Sequence, residues 1–422
     1  MALIILLIIF FFYCTLLGAK KTFPYLFFLL FIGCQFNVYG ALLLEDVLIV
    51  IFLFFGKKDI IRFCQRNKFP FCWSIALSVF SLFLSTYFAQ TTPHWGLAIS
   101  NSIKIGLLPL LLFSFVQTKK DIQKIVKVLV VFSLLSCMVS VMDILVGRSI
   151  YLDIIHEYVD KEYGWDMSEQ IRFGITRAQA FTMQSVSLGY ISMMLFVFFS
   201  FFISRNYDYW NLRYTTLIIT CVSLIVCCML SGTRSAILPL IFAIIYLLRH
   251  KIFKLRYLII YSLLFIIIIS IFGSYIQNVY DAMINSDIEG GSSTKMRENQ
   301  LAISLAYFMQ SPILGMGPYA IFDIVRDTYG EAILGAESVW FLLLVNQGLL
   351  GSIAYLCVYI NCYISIHRHK SDILVFLLLV LLTNSLTSTP GYGAEIIICL
   401  VLLITKMENV QDMSNRSNCI VM

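Results

Sequence analysis

Four arginines and one glutamate stand where an apolar chain has little reason to keep charge. Arg234 lies in "CMLSGTRSAILPL" (228–240), between the runs "TTLIITCVSLIVCC" and "FAIIYLL". An arginine at mid-bilayer costs at least a few kcal/mol unless it snorkels or pairs. Ser231 and Thr233 are good helix N-caps, and Arg234 would open the helix that follows. Free backbone N–H groups, a positive helix end and a guanidinium then converge, which is the chemistry of an anion site, with phosphate the obvious anion. The competing reading is an interfacial arginine snorkelling among lipid headgroups.

Arg172 and Arg177 precede an apolar run in "DKEYGWDMSEQIRFGITRAQAFTMQSVSLGY" (160–190). Arg297 falls in the first turn of a helix expected after "EGGSST" (289–294). A cation there opposes the helix dipole, so the position favours a role in binding over a merely solvated face. Glu337 borders the apolar "SVWFLLLVNQGLLG" (338–351). A carboxylate there is hard to ionise unless an arginine pairs with it, and either state suits a general base or its orienting partner. The alternative is a plain helix N-terminal acid.

The elements that must position these groups are membrane helices. The chain has 422 residues, 60% hydrophobic and only 13% charged, where a soluble domain carries roughly a quarter charged residues. The predicted fold is all-α, a polytopic transmembrane bundle forming one integral domain over 1–422. Spans of about 20 apolar residues are read at about 2–18, 22–39, 41–56, 70–89, 97–117, 125–146, 182–204, 212–230, 234–249, 256–277, 345–366, 371–388 and 392–406. The third and ninth are short, so the count is 12 or 13. The first run lacks the basic start and small-residue cleavage site of a signal peptide and reads as a span.

The loops 56–68, 117–127, 249–256 and 367–371 are basic, and 204–213 weakly so. The positive-inside rule places them in the cytoplasm. Outside are then 90–96, 147–181, the break at 231–234, the large loop 278–336, and 389–391. Arg172, Arg177, Arg234, Arg297 and Glu337 all fall at this outer face. Within the large loop, Leu301, Leu305, Phe308 and Met309 share one helix face, suited to lying on the membrane or packing on the bundle. Pro312, Gly315, Gly317 and Pro318 break the chain after it.

Several classes of function are excluded or weakened. The net charge of +6 resides in topological loops, so it does not indicate a nucleic-acid partner. The twelve cysteines are scattered, without metal spacing, and none lies in the two long polar loops. His94 and His156 are single external histidines without a second ligand at metal spacing, and Asp46 reads as an interfacial residue. No phosphate-binding G-x-x-x-x-G-K-[ST] loop, H-E-x-x-H or G-x-S-x-G occurs. No metal or other cofactor is expected.

In its second half the chain resembles the O-antigen polymerase and O-antigen ligase superfamily of bacterial envelope proteins. "TRAQAFTMQSVSLGY" (176–190) is similar to that family's arginine and small-residue stretch before a central span. "SGTRSAILPL" (231–240) is similar to its most recognisable helix start. "MRENQLAISLAYFMQSPILGMGP" (296–318) resembles its arginine, helix, proline and G-x-G run, and "AESVWFLLLVNQGLLG" (336–351) the element that closes its large loop. Where ligases of the family carry a histidine, this chain has Glu337-Ser338, which favours the Wzy-type polymerases over the ligases.

The resemblance implies work at the periplasmic face of the bacterial inner membrane on undecaprenyl-diphosphate-linked oligosaccharides. A growing chain would leave its lipid diphosphate and join a sugar hydroxyl of a new repeat unit, giving O-antigen or capsule. Arg172, Arg177, Arg234 and Arg297 are the diphosphate candidates, Arg234 also assisting catalysis, and Glu337 the base candidate. Membrane lipid and a chain-length-regulating co-polymerase are the implied partners. The competing class is a transporter or flippase of an anionic lipid-linked glycan, which should line a mid-membrane path with polar residues. Buried ionisable residues look scarce in the sequence, and no internal repeat is evident.

Overall fold

The computed structural model describes residues 18–31, 37–39, 42–66, 68–155, 171–172, 175–182, 184–249, 294–324, 338–386 and 394–420. The expected span at 2–18 apart from Gly18, the span at 256–277 and the loop 389–391, together with Glu337 and His156, lie outside the described residues. In chain order the elements are α1 (Ala19–Phe31), β1 (Asn37–Tyr39), β2 (Leu42–Leu43), α2 (Leu44–Arg66), α3 (Cys72–Tyr87), α4 (Trp95–Ser102), a π turn (Ile103–Leu107) and α5 (Leu108–Phe115). There follow α6 (Lys119–Val146), α7 (Ile150–Ile155), β3 (Ile171–Arg172), β4 (Ile175–Thr176), α8 (Ser185–Val197) continued by a π segment (Phe198–Ile203) and a 3-10 turn (Ser204–Asn206), α9 (Tyr214–Leu230) and α10 (Arg234–Leu248). The last are α11 (Thr294–Gln310), α12 (Ala320–Ile324), α13 (Val339–Ser365), α14 (Lys370–Leu386) and α15 (Ala394–Ile420). Among the described residues the strands form only two short antiparallel ladders, so the fold is all-helical in substance.

Among the described residues, four helices are long and apolar enough to cross a membrane: Trp95–Phe115, Lys119–Val146, Ser185–Asn206 and Val339–Ser365. Cys72–Tyr87, Tyr214–Leu230 and Arg234–Leu248 are shorter apolar helices. The protein is an integral membrane protein. Local chemistry sets the helix ends. Thr118 and Asp121 form a reciprocal capping box at the head of α6, and Gly147, at φ 83°, ends that helix in the left-handed region. Two expected boundaries shift. In the span read at 22–39, residues to Phe31 belong to α1, while 37–39 form strand β1, paired with β2. The basic run at 56–68, expected as a loop, stays helical to Arg66, because Lys57, Lys58 and Arg62 are exposed while Ile60 faces the core.

Side-chain bonds define two ends of the bundle. At one, Thr233 Oγ1 at the head of α10 donates to the Ser185 carbonyl at the head of α8, and Trp340 Nε1 at the head of α13 donates to Ser385 at the tail of α14. At the other, Tyr246 donates to Asp372, Arg205 pairs with the same carboxylate, and the Glu408 carboxylate accepts the N–H groups of His367, Arg368 and His369. Lys119 stacks on Tyr209 and Arg249 on Tyr246 at this second end. Among the described residues, Lys119, Arg205, Arg249 and His367 to His369 of the basic loops thus gather at one end, called the basic end below.

The helix α13 is broken. Gly348 has φ 62° and ψ −154°, far from helical. The 312–318 segment fills the gap: Met316 N–H donates to the Val345 carbonyl, Gly317 N–H to that of Asn346, and Leu349 and Leu350 N–H to those of Pro312 and Ile313. A Cβ on Gly315 would stand 2.4 Å from Gln347 N, and one on Gly348 2.7 Å from Gly315 N. Two backbones touch here, which only glycine permits. The Val345 and Asn346 carbonyls and the Leu349 and Leu350 N–H groups at the break thus find partners, as an apolar surrounding demands.

Candidate anion site

The Arg234 helix start is built from three segments. Asp143, fully buried near the end of α6, accepts the N–H groups of Gln179 at 3.1 Å, Ala180 at 2.8 Å and Ile150 at 3.0 Å. Ala180 is held in the left-handed region at φ 47°, a conformation a non-glycine residue keeps only when its surroundings enforce it. Ala178 N–H adds a bond to the Leu230 carbonyl. The 177–180 segment is thereby clamped between α6 and the tail of α9.

That clamp delivers Arg177 to the 231–233 turn. Its Nε–H donates to the Ser231 carbonyl and its Nη2–H to Thr233 Oγ1, each at 2.9 Å. The structure therefore brings Arg177 and Arg234, two of the predicted anion ligands, to one turn. The expected capping differs in detail. Thr233 is the N-cap of α10 but makes no side-chain cap bond. Its hydroxyl is taken by Arg177 and by the Ser185 carbonyl, and Ser231 Oγ accepts the Thr233 N–H instead, at 3.3 Å. At the α10 head the Thr233 N–H goes to Ser231 Oγ and the Ala236 and Ile237 N–H groups to the Thr233 carbonyl, so the positive helix end lies beside the Arg177 guanidinium.

The other predicted site residues are less fully placed. Arg172 belongs to the β3–β4 ladder and Arg297 to the first turn of α11. Glu337 lies outside the described residues, one position before Ser338, whose hydroxyl accepts the Trp340 N–H at the head of α13.

Two groupings escaped the sequence reading. His94, without a second metal ligand at sequence spacing, lies 2.8 Å through Nε2 from Asp323 Oδ2, and its ring meets that of Tyr319, whose φ is 72°. Gln90 and Thr91 N–H both point to the Met316 carbonyl, so the 89–94 loop is pinned to the α12 region. Secondly, buried ionisable residues are not scarce. Asp46, Asp143, Asp323, Asp372 and Glu408 are buried, Ser100 donates to Asp46 Oδ2 at 2.7 Å, and the half-buried Lys104 on the π turn pairs with Glu45 on α2, with the α15 residue Glu395 also attracting it. A separate cleft lined by Ser78, Ser81, Asn101, Gln347 and Tyr355 does not include Arg177 or Arg234. Among the described residues no cluster of His, Cys, Asp and Glu could hold a metal ion.

No curated protein matches the chain. A family match covers the helix start that carries Arg234, the α11 segment with Arg297, Glu337 and the break in α13, and leaves out Arg172 and Arg177. Residues 219–356, about a third of the chain, match the model of the Wzy_C family, O-antigen ligase, and in this part the protein is similar to enzymes that transfer lipid-linked glycans.

Proposed function

We propose that this protein is a polysaccharide polymerase acting on undecaprenyl-diphosphate-linked oligosaccharides at the periplasmic face of the bacterial inner membrane. The observation that carries the reading is the Arg177 guanidinium bonded to the turn that opens the Arg234 helix, at the end of the bundle away from the basic loops. The orientation follows from that segregation of charge.

In the reaction the bond between the donor's anomeric carbon and its diphosphate oxygen breaks, and a glycosidic bond forms to a hydroxyl of the next repeat unit. Arg234 and the α10 head hold the diphosphate and take up the charge it gains on leaving. Arg177 orders the turn and adds positive potential, while Arg172 and Arg297 are further diphosphate ligands. Glu337 takes the hydroxyl proton. The leaving diphosphate is already stable as an anion, so the step needs neither ATP nor a covalent enzyme intermediate.

The ligase reading is the second, favoured by the family description of residues 219–356. Polysaccharide banding of a strain lacking the gene separates the two. Decoration limited to single repeats supports the polymerase, full-length polymer left on its lipid carrier supports the ligase, and unchanged banding overturns both.

A further inference from the structure

The helix α11 turns its apolar side outward. Leu301 is 41% exposed, Leu305 44%, Met309 73% and Ile313, just past its end, 66%. The side turned to the protein instead carries the buried Gln300 and Ser304, with Ile303 and Tyr307 packed on the small core of Met316, Ile321 and Leu342. A helix facing water would show the reverse arrangement.

The stripe does not end with α11. Leu349 and Leu350 N–H bond the Pro312 and Ile313 carbonyls, which sets Ile313 against α13 just where Leu349 is exposed. From there Leu349, Ile353, Leu356, Ile360 and Ile364 run down α13 as its exposed apolar line, and α13 is one of the helices able to cross a membrane. Its exposed apolar line suits acyl chains, and the Leu350–Ile313 backbone bond sets the end of the α11 stripe beside it. On the same helix Asn299 and Gln310 are exposed on the adjoining edge, about 100° away from Met309 for Gln310, as one residue step in a helix requires.

We propose that α11 is docked into the bilayer leaflet at the Arg234 end, with Leu301, Leu305, Met309 and Ile313 against acyl chains and the Asn299–Gln310 edge toward water. The loop helix is then a lipid-contacting element of the enzyme, and its first turn, where Arg297 stands, enters from the headgroup layer. A substrate carried on a lipid tail would reach such a helix from the membrane side. The proposal rests on the membrane setting of α13 and not on the transfer reaction, so either can fail without the other.

The test is fluorescence of the full chain in phosphatidylcholine and phosphatidylglycerol vesicles. Single cysteines replace Met309 or Gln310 in a cysteine-free background and carry an environment-sensitive nitrobenzoxadiazole label. Both positions are exposed, so neither substitution disturbs packing. The expected result is blue-shifted emission and quenching by doxyl-labelled lipid at position 309, with a red-shifted emission and quenching by aqueous iodide at 310. Iodide quenching of equal strength at both positions overturns the proposal, because the stripe then faces water. Shielding of position 309 from both quenchers also overturns it, because protein then covers the stripe.

Discussion

Arg177 and Thr233 are joined by an Nη2–Oγ1 bond of 2.9 Å, while the Arg177 Nε–H takes the Ser231 carbonyl of the same turn. One planar fork therefore fixes both the backbone and the side chain of the turn that leads into Arg234. Lysine cannot reproduce that fork. Arg177→Lys should lower polymer formation by about 10- to 100-fold, the worth of one charge-assisted hydrogen bond, with the protein at normal level in the membrane. Arg234→Ala should abolish polymer, and Arg234→Lys should recover little. Combining Arg177→Lys with Arg234→Lys should cost less than the two losses added together, because both act on one site. Polymer banding with immunoblotting of membranes checks each; normal-length polymer in Arg234→Ala would return that residue to headgroup snorkelling.

Asp143 supports the same turn from behind. Asp143→Ala leaves the N–H groups of Ile150, Gln179 and Ala180 without their acceptor in a buried place. A loss of about 3 kcal/mol is expected, with Asp143→Asn intermediate because its amide oxygen still accepts. Thermal unfolding in detergent measures the stability. Partial recovery of activity by Asn, alongside the recovery in melting temperature, distinguishes this support from a ligand role.

Gly348→Ala should damage the break in α13. The position has φ 62°, and an added Cβ meets Ile313 and Gly315 backbone atoms at 2.7 Å. Left-handed strain alone costs about 1–3 kcal/mol, and the backbone contact adds to it. Protease sensitivity near 312–318 should rise in membranes. Unaltered resistance and melting would mean that the two segments separate at little cost.

His369 at the basic end has its affinity for a proton lowered, first by burial and then by the Arg205 guanidinium beside it. The unfolded chain therefore binds the proton more readily than the folded one, and stability rises with pH across the interval between the two pKa values. Acidification from neutral pH toward and below the ordinary histidine range should lower the melting temperature. His369→Gln should flatten that dependence, whereas an equal acid sensitivity in the variant would assign the effect to other groups.

Glu337→Gln keeps the shape and removes the proposed base. Transfer assayed with purified lipid-linked repeat units should fall by about 100- to 10,000-fold, while donor binding survives. Wild-type rates would refute the base assignment and leave the arginines to act alone.

The sequence by itself determined the membrane character, the helical class and the segregation of basic loops, because run length and charge are local properties. It also located the breaks at Pro312 to Pro318 and at 231–233, since glycine, proline and small polar residues act on their own backbone. What faces what was left to the tertiary structure. In a membrane protein an apolar stripe suits lipid and protein core equally, so the periodicity of Leu301, Leu305 and Met309 could not say which it met. Thr233 had the chemistry of a cap, yet its hydroxyl is claimed by Arg177 from 56 residues away. His94 looked solitary until packing set it against Asp323, at a separation of 229 residues. Lys104, Glu45 and Glu395 are unremarkable singly and become a cluster only because α2, the π turn and α15 converge. Pairings of this kind depend on which helices pack together, and no local pattern in the chain carries that information.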